Sequence, residues 1–427
     1  MMLVFVTFLT LVALGMPVAF AIGISGFLFF LTQDFLLTIP VQVTLTQTQN
    51  FAMLAIPLFI FAGNALNETG LTTRLMSFAS ALTGHLRAGL AHVGVVTSFM
   101  MGGVTSSAIG DATMFSRILG PGMMARRYVP GFAAGVIGTA SIIVTMVPPG
   151  TGLILYGTLG EVSIGRLFAA GLVPGILMTI VLMAAIAFTA RKHDYAPERP
   201  VREPTSVIVK SGLRGIWALL FPVILILGLR FGYFTPSEAG AFAVAYAIVV
   251  GLVIYRELTW TGFKRALSNT VTDVGMIMIL ITLSGSWGYG LTWDRVPQQL
   301  MEFLLGITQD PAAIMFILVA ALLVAGMFMD STVLILLLTT MLVPVAGEAG
   351  IDPIHFGIVM VLTLTLGLLT PPIGIVMLIV CSFFKTTIPA YFRESVYLFL
   401  AMAGLLVLII LVPEITTWLP DLLYSGQ

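Results

Sequence analysis

Charge is what this sequence has least of. Only 9% of its 427 residues are Asp, Glu, Lys or Arg, 59% are hydrophobic, and the mean hydropathy is +1.08. Soluble domains carry roughly a quarter charged residues, so too little polar surface exists to coat a globule of this length. A water-soluble enzyme is excluded. The 19 basic and 19 acidic residues balance, which removes the cationic footprint of a nucleic-acid binder and the net charge of a disordered chain. Cysteine is almost absent, and Cys381 alone makes neither an internal disulfide nor a thiolate cluster. The histidines, His85, His92, His193 and His355, are scattered, with no cysteine or carboxylate at ligand spacing. No G-x-x-x-x-G-K-[ST] occurs, so ATP is not the energy source in this chain. No basic residue precedes Arg74. The opening MMLVFVTFLT therefore has no basic n-region, and it shows no small-residue cleavage site. It is expected to be a retained first span, with its side of the membrane unassigned.

What the sequence does have is apolar runs, near 2–32, 51–66, 90–119, 131–158, 165–190, 216–232, 236–255, 271–291, 311–342, 354–384 and 394–412. A helical span needs about 20 such residues. The runs are continuous, not alternating, which speaks against a membrane β-barrel. The expectation is an all-α polytopic membrane protein. Between two runs, residues 191–214 concentrate Arg191, Lys192, Arg199, Arg202, Lys210 and Arg214. The positive-inside bias puts this linker in the cytoplasm, and Arg256, Lys264 and Arg265, two spans later, agree. A plain solvated linker fits it better than a docking segment.

Sliding the chain on itself by 223 positions pairs Gly103 with Gly326, Pro121 with Pro344, Pro130 with Pro353 and Pro148–Pro149 with Pro371–Pro372. Unrelated kinks would not keep their spacing. The pattern predicts two related halves, 1–190 and 215–427, joined by the basic linker. In hydrocarbon a break in a helix survives only where protein, water or ligand satisfies the freed backbone groups. Pro148–Pro149–Gly150 and Pro371–Pro372 followed by Gly374 interrupt runs at matching places and predict broken helices over about 131–158 and 354–384. Such paired interruptions point to a midplane transport site. Each half holds a second break. One is Gly102–Asp111, with Gly103, Thr105, Ser106 and Ser107; the other is Gly326–Thr332, with Asp330 and Ser331. Both suit the polar tips of re-entrant hairpins, about 90–119 and 311–342. Tip carbonyls and hydroxyls suit a small monovalent cation, and helix N-termini suit a carboxylate. Asp111 and Asp330 are either N-terminal caps or direct participants in ion or proton binding. Glu238 beside Pro236 reads as a helix-start residue, and Glu68, Arg74, Arg87, Arg126, Arg127 and Glu161 as snorkelling ends.

At these residues the sequence resembles the large membrane subunit of TRAP (tripartite ATP-independent periplasmic) transporters, the DctM-like family. The second half carries GMFMDST at 326–332, GIDPIHFGIVMV at 350–361 and LGLLTPPIG at 366–374. The first carries Ser106–Ser107, Asp111, VPPG at 147–150 and YGTLGEVSIGRLFAAGLVPGI at 156–176, so the likeness spans about 12–412. The resemblance implies two inverted-topology repeats with a scaffold and an elevator-type transport domain. It implies a bacterial inner-membrane protein importing an organic acid such as a dicarboxylate, sialic acid or sugar acid. The driving force is sodium, with no other cofactor or metal. The implied partners are a small four-helix membrane subunit and a periplasmic substrate-binding protein. Carried over, one sodium site falls at Gly103, Thr105, Ser106 and Ser107 with Pro148 and Gly150. The other falls at Gly326, Gly367 and Thr370. Asp111, Asp330, Ser331, Thr332, Pro149, Pro371, Pro372 and Gly374 are left as hairpin-tip or substrate contacts. Three departures stand out. The family's S-S-V-A-D reads Ser107–Ala108–Ile109–Gly110–Asp111, a proline common after Thr339 is Thr340, and an asparagine common after the second proline pair is apolar within Ile375–Val376–Met377. The last puts substrate class in doubt. Competing readings are a stand-alone sodium/anion symporter and an intramembrane aspartyl protease using Asp111 and Asp330. The protease is disfavoured because position 108 is Ala where a G-x-G-D loop needs Gly.

Overall fold

A computed structural model describes every residue except Asp34, Leu37, Asn50, Asp194, Pro200, Gly426 and Gln427. Among the described residues the only β pairing is one isolated bridge, Arg87 to Pro197, and all regular elements are helices. Six are long and apolar enough to cross a membrane: Ile164–Lys192, Pro236–Ile254, Trp260–Trp293, Pro311–Phe328, Ser331–Glu348 and Ile388–Leu411. Thr205–Arg214 and Ile216–Arg230 form a bent pair at 60°. The first of these two is the amphipathic end of the basic linker and has no buried residue. Glu238 starts its helix as expected, since Thr235 and Glu238 close a capping box there.

The helix order repeats at the spacing seen in the sequence. Ala108–Ala125 and Ser331–Glu348 begin and end 223 residues apart, Pro130–Ser141 and Pro353–Gly367 begin 223 apart, and Ile164–Lys192 and Ile388–Leu411 begin 224 apart.

Two polar ends can be told apart by contacts. The Ile164–Lys192 helix has 29 residues, about 43 Å at 1.5 Å per residue. At its C-terminal end the linker is stitched to the first half: Arg199 N–H donates to the Gly84 carbonyl at 3.0 Å, Ser80 Oγ to Glu198 at 3.2 Å, and Val129 N–H to the Tyr195 hydroxyl at 3.1 Å. The 84–89 and 125–130 ends of two helices, Gly89–Met101 and Ala108–Ala125, therefore lie together at this end. They meet again at 102–107, so they enter and return on one side. At the other end Arg166 pairs with Asp421 at 2.7 Å, His355 Nδ1 lies 2.8 Å from Thr416 Oγ1, and the Tyr156 hydroxyl donates to the Pro353 carbonyl at 2.6 Å. The base of the Pro311–Phe328 and Ser331–Glu348 pair belongs here, next to Pro353. The two hairpins come from opposite ends and point at one another.

One pair ties the linker end of the bundle together. Arg74 lies over the Tyr255 ring at 4.1 Å and donates to Glu257 Oε2 and the Thr69 carbonyl, each at 3.0 Å. The guanidinium holds the Glu257 carboxyl below its ordinary value. A carboxylate with a depressed folded-state pKa stabilises above its unfolded pKa, about 4.3, and that stability is lost as pH falls through the folded value. Glu257 is 45% exposed, so screening limits the pair to under about 1 kcal/mol. Arg74→Gln is expected to lower the thermal midpoint at pH 7 by only a few degrees and to do less below pH ~4. Melting curves at both pH values check this.

Candidate functional site

Close backbone approach builds the first hairpin tip. A Cβ on Gly102 would collide with the Val147 side chain, one on Gly103 would reach Pro222 and sit 3.3 Å from the Pro148 carbonyl, and one on Gly63 would strike the Val104 carbonyl. The tip thus lies against the broken helix. Ser106 has φ +51°, a left-handed conformation that costs a non-glycine residue about 1–3 kcal/mol. Its hydroxyl donates to the Pro149 carbonyl, and Thr151 Oγ1 donates back to the Ser106 carbonyl at 3.3 Å. Ser107 then caps Ala108–Ala125, accepting from Gly110 N–H at 3.1 Å.

The second tip is built differently. Gly326 and Gly367 meet backbone to backbone: a Cβ on Gly367 would lie 2.5 Å from Gly326 C and 2.6 Å from its Cα. Gly374, at φ +50°, donates its N–H to the Met327 carbonyl at 3.0 Å. Thr370 sends both its N–H (3.0 Å) and its hydroxyl (2.9 Å) to the Gly367 carbonyl. That oxygen is therefore not free, whereas the Thr370 hydroxyl keeps its lone pairs. Asp330 caps Ser331–Glu348 by accepting from Thr332 N–H at 2.8 Å. The peptide bonds Pro148–Pro149 and Pro371–Pro372 are both cis.

These positions separate the two aspartates. The 223-residue spacing matches Asp330 with Ser107, and both are caps; Asp111 matches Leu334 and caps nothing. Asp111 is fully buried and neither carboxylate oxygen has a hydrogen-bond partner; Thr105 is half-buried, and its buried Oγ1 has none either. Of the two roles left open for these residues, capping holds for Asp330 and fails for Asp111.

One cavity of about 600 Å³ gathers both tips. It is lined by 104–111 from the first, 330–332 from the second, and Thr145, Thr151 and Thr365 from the broken helices. Gly103, Pro148, Pro149, Gly150, Gly326, Gly367, Thr370, Pro371, Pro372 and Gly374 do not line it; they shape the backbone behind the tips. A further part of the lining was missed in the sequence. It comprises Asn64 and Asn67, from Ala55–Asn67, and Asp273, from Trp260–Trp293. Asp273 lies inside the apolar run 271–291, so the rule that flagged Asp111 applies to it equally. Among the described residues the charged groups lining the cavity are Asp111, Asp273 and Asp330, with no Lys, Arg or His. Positive potential comes from the N-termini of the 108–125, 151–159 and 331–348 helices, which open on it. No group of three or more His, Cys, Asp or Glu suited to a resident metal exists among the described residues.

The family described as "Tripartite ATP-independent periplasmic transporter, DctM component" matches residues 5–415. The sialic acid TRAP transporter large permease protein SiaM of Vibrio cholerae is 34% identical over 411 residues, covering 96% of this chain and 95% of its own. The 2,3-diketo-L-gulonate TRAP transporter large permease protein YiaN of Escherichia coli is 34% identical, covering 95% of each. The crystal structure of the Alcanivorax borkumensis YdaH transporter, of unusual topology, superposes with a TM-score of 0.61 at 14% identity, covering 88% of this chain and 89% of the other. That likeness is one of fold. The relatives are permease subunits and not enzymes, which removes the protease reading of the two aspartates.

Proposed function

The chain belongs to the DctM family of TRAP transporter components, and from that premise we propose that it is the sodium-coupled permease subunit through which a bacterium imports an organic acid. The observation that carries this is electrostatic. The cavity joins two hairpin tips, and among the described residues its formal charges are all negative. An acid anion entering such a space meets repulsion that the helix N-termini offset only in part. Small cations entering with it neutralise Asp111 and the anion together, and the orphaned oxygens of Asp111 and Thr105 are hard ligands suited to one. That charge balance supports cation coupling, with sodium as the ion. The tip segments 103–107 with 148–150, and Gly326 with the Thr370 hydroxyl, would hold the ions by carbonyl and hydroxyl oxygen, while Gly367, its carbonyl already taken by Thr370, would shape the second site.

The relatives named for sialic acid and diketogulonate support an acid as cargo. In the same reading a small four-helix membrane subunit and a periplasmic substrate-binding protein complete the system in the inner membrane. The two opposed hairpins and their broken helices, as inverted repeats, would form the moving transport domain of an elevator, carried by the remaining helices as scaffold.

Uptake into vesicles containing the assembled system is expected to collapse, by about 100-fold, when the sodium gradient is dissipated, and to ignore ATP. Uptake that persists with sodium absent from both sides defeats the proposal.

A further inference from the structure

We propose that Asn64 and Asp273 form a second subsite in the cavity that receives the hydroxyl-bearing end of the cargo, so that the acid carried is a hydroxylated monocarboxylate and not a dicarboxylate. This rests on the reading that the cargo is an organic acid, and adds which kind.

The argument begins with what Asn64 can do. Its amide nitrogen lies 3.3 Å from Asp273 Oδ2 and 3.1 Å from Thr270 Oγ1. An ionised carboxylate only accepts hydrogen bonds, so the nitrogen, and not the amide oxygen, faces Asp273. The pair is thereby held rigid across two helices, Ala55–Asn67 and Trp260–Trp293. Asn64 Oδ1 and Asp273 Oδ1 have no hydrogen-bond donor among the described residues, and both residues are half-buried against the cavity. Asn67 stands beside them. Its oxygen is taken by the Thr72 hydroxyl at 3.2 Å, leaving its amide nitrogen to donate. This wall therefore offers a fixed set of acceptors next to a donor. A hydroxyl both donates and accepts, so a polyol matches the set; an ammonium, which only donates, matches half of it. A carboxylate, which only accepts, faces Asp273 with no counter-charge.

Another part of the same lining supplies the complementary condition. There helix N-termini open on the cavity that holds buried Asp111 and the buried Thr105 hydroxyl oxygen, neither hydrogen-bonded, and a carboxylate with its cations fits them. A cargo that touches both sets has one end of each kind. A second carboxylate beside Asn64 would lie against Asp273 in a space without a lysine, arginine or histidine among the described residues. Like charges so placed discriminate by repulsion as well as by missing contacts.

Three six-carbon probes of nearly equal length separate the terms: D-gluconate carries hydroxyls and one carboxylate, adipate two carboxylates, and hexanoate one carboxylate alone. Thermal shifts are read on the purified permease with its small membrane subunit, without sodium and in saturating sodium. Gluconate is expected to bind about tenfold more tightly than hexanoate, and adipate no more tightly than hexanoate. Asp273→Asn should erase the penalty on adipate, improving it about tenfold, and Asn64→Ala should bring gluconate down to hexanoate. The shift produced by sodium alone must survive in both variants, which shows that they fold; Asp273→Glu, which keeps the charge, should keep the order of the probes. Adipate binding best to the wild type, an unchanged order in Asp273→Asn, or no shift from any probe overturns the subsite. Failure of sodium coupling would show separately, as probe binding indifferent to sodium with the order of probes intact.

Discussion

Replacing Gly367 with alanine is expected to destabilise the protein by about 3 kcal/mol and to cut uptake by about 100-fold. The added Cβ falls 2.5–2.6 Å from the Gly326 backbone, and two main chains at a helix crossing have no flexible side chain to give way. Relief requires the 353–367 helix to move away from the second hairpin, which carries Thr370 and the Gly374–Met327 hydrogen bond with it. Gly326→Ala should behave similarly and more mildly, its Cβ meeting the Leu364 carbonyl at 2.9 Å and Gly367 Cα at 3.2 Å. Gly404 and Gly306, also helical, have nothing within 4 Å of an added Cβ. There alanine should stabilise by about 0.5–1 kcal/mol. Thermal melting of the four variants beside vesicle uptake tests this; Gly367→Ala melting with the wild type would show that the contact is not rigid.

That contrast also explains how far the sequence could be read. Helical spans, proline breaks and the 223-residue repeat are written in one dimension, because a bilayer forces backbone hydrogen bonds to be local. Glycines and prolines paired by their spacing mark both tips in the sequence. Chemistry within the tips was harder. Asp111 and Asp330 look alike in sequence, each a carboxylate after glycines and near hydroxyls, yet one caps a helix and the other is orphaned inside the bundle. The register would have revealed it, since the repeat sets Asp330 against Ser107. Asn64 and Asp273 stayed hidden for a different reason: their hydrogen bond spans 209 residues, and no local pattern encodes which helices cross. In the implied second sodium site the Gly367 carbonyl is occupied by Thr370, a side-chain rotamer that sequence spacing leaves open.

The orphaned aspartate gives the other large effect. Asp111→Asn keeps the shape and removes the charge. In the absence of sodium, a buried carboxylate with no partner is a liability, and the amide that replaces it must still find donors and acceptors of its own. The balance favours the variant: Asp111→Asn is expected to be more stable than the wild type by about 1–3 kcal/mol in sodium-free buffer. Adding sodium should reverse the order, because the wild type gains stability by mass action as the ion binds and the variant does not. Uptake by Asp111→Asn should fall about 100-fold. Melting temperature against sodium concentration, for both proteins, reads the two halves of the claim in one experiment. A mutation that stabilises the empty protein while abolishing its response to the ion is what a functional group held against its folding preference produces. A merely structural aspartate predicts the opposite sign without sodium, and no crossing of the two curves.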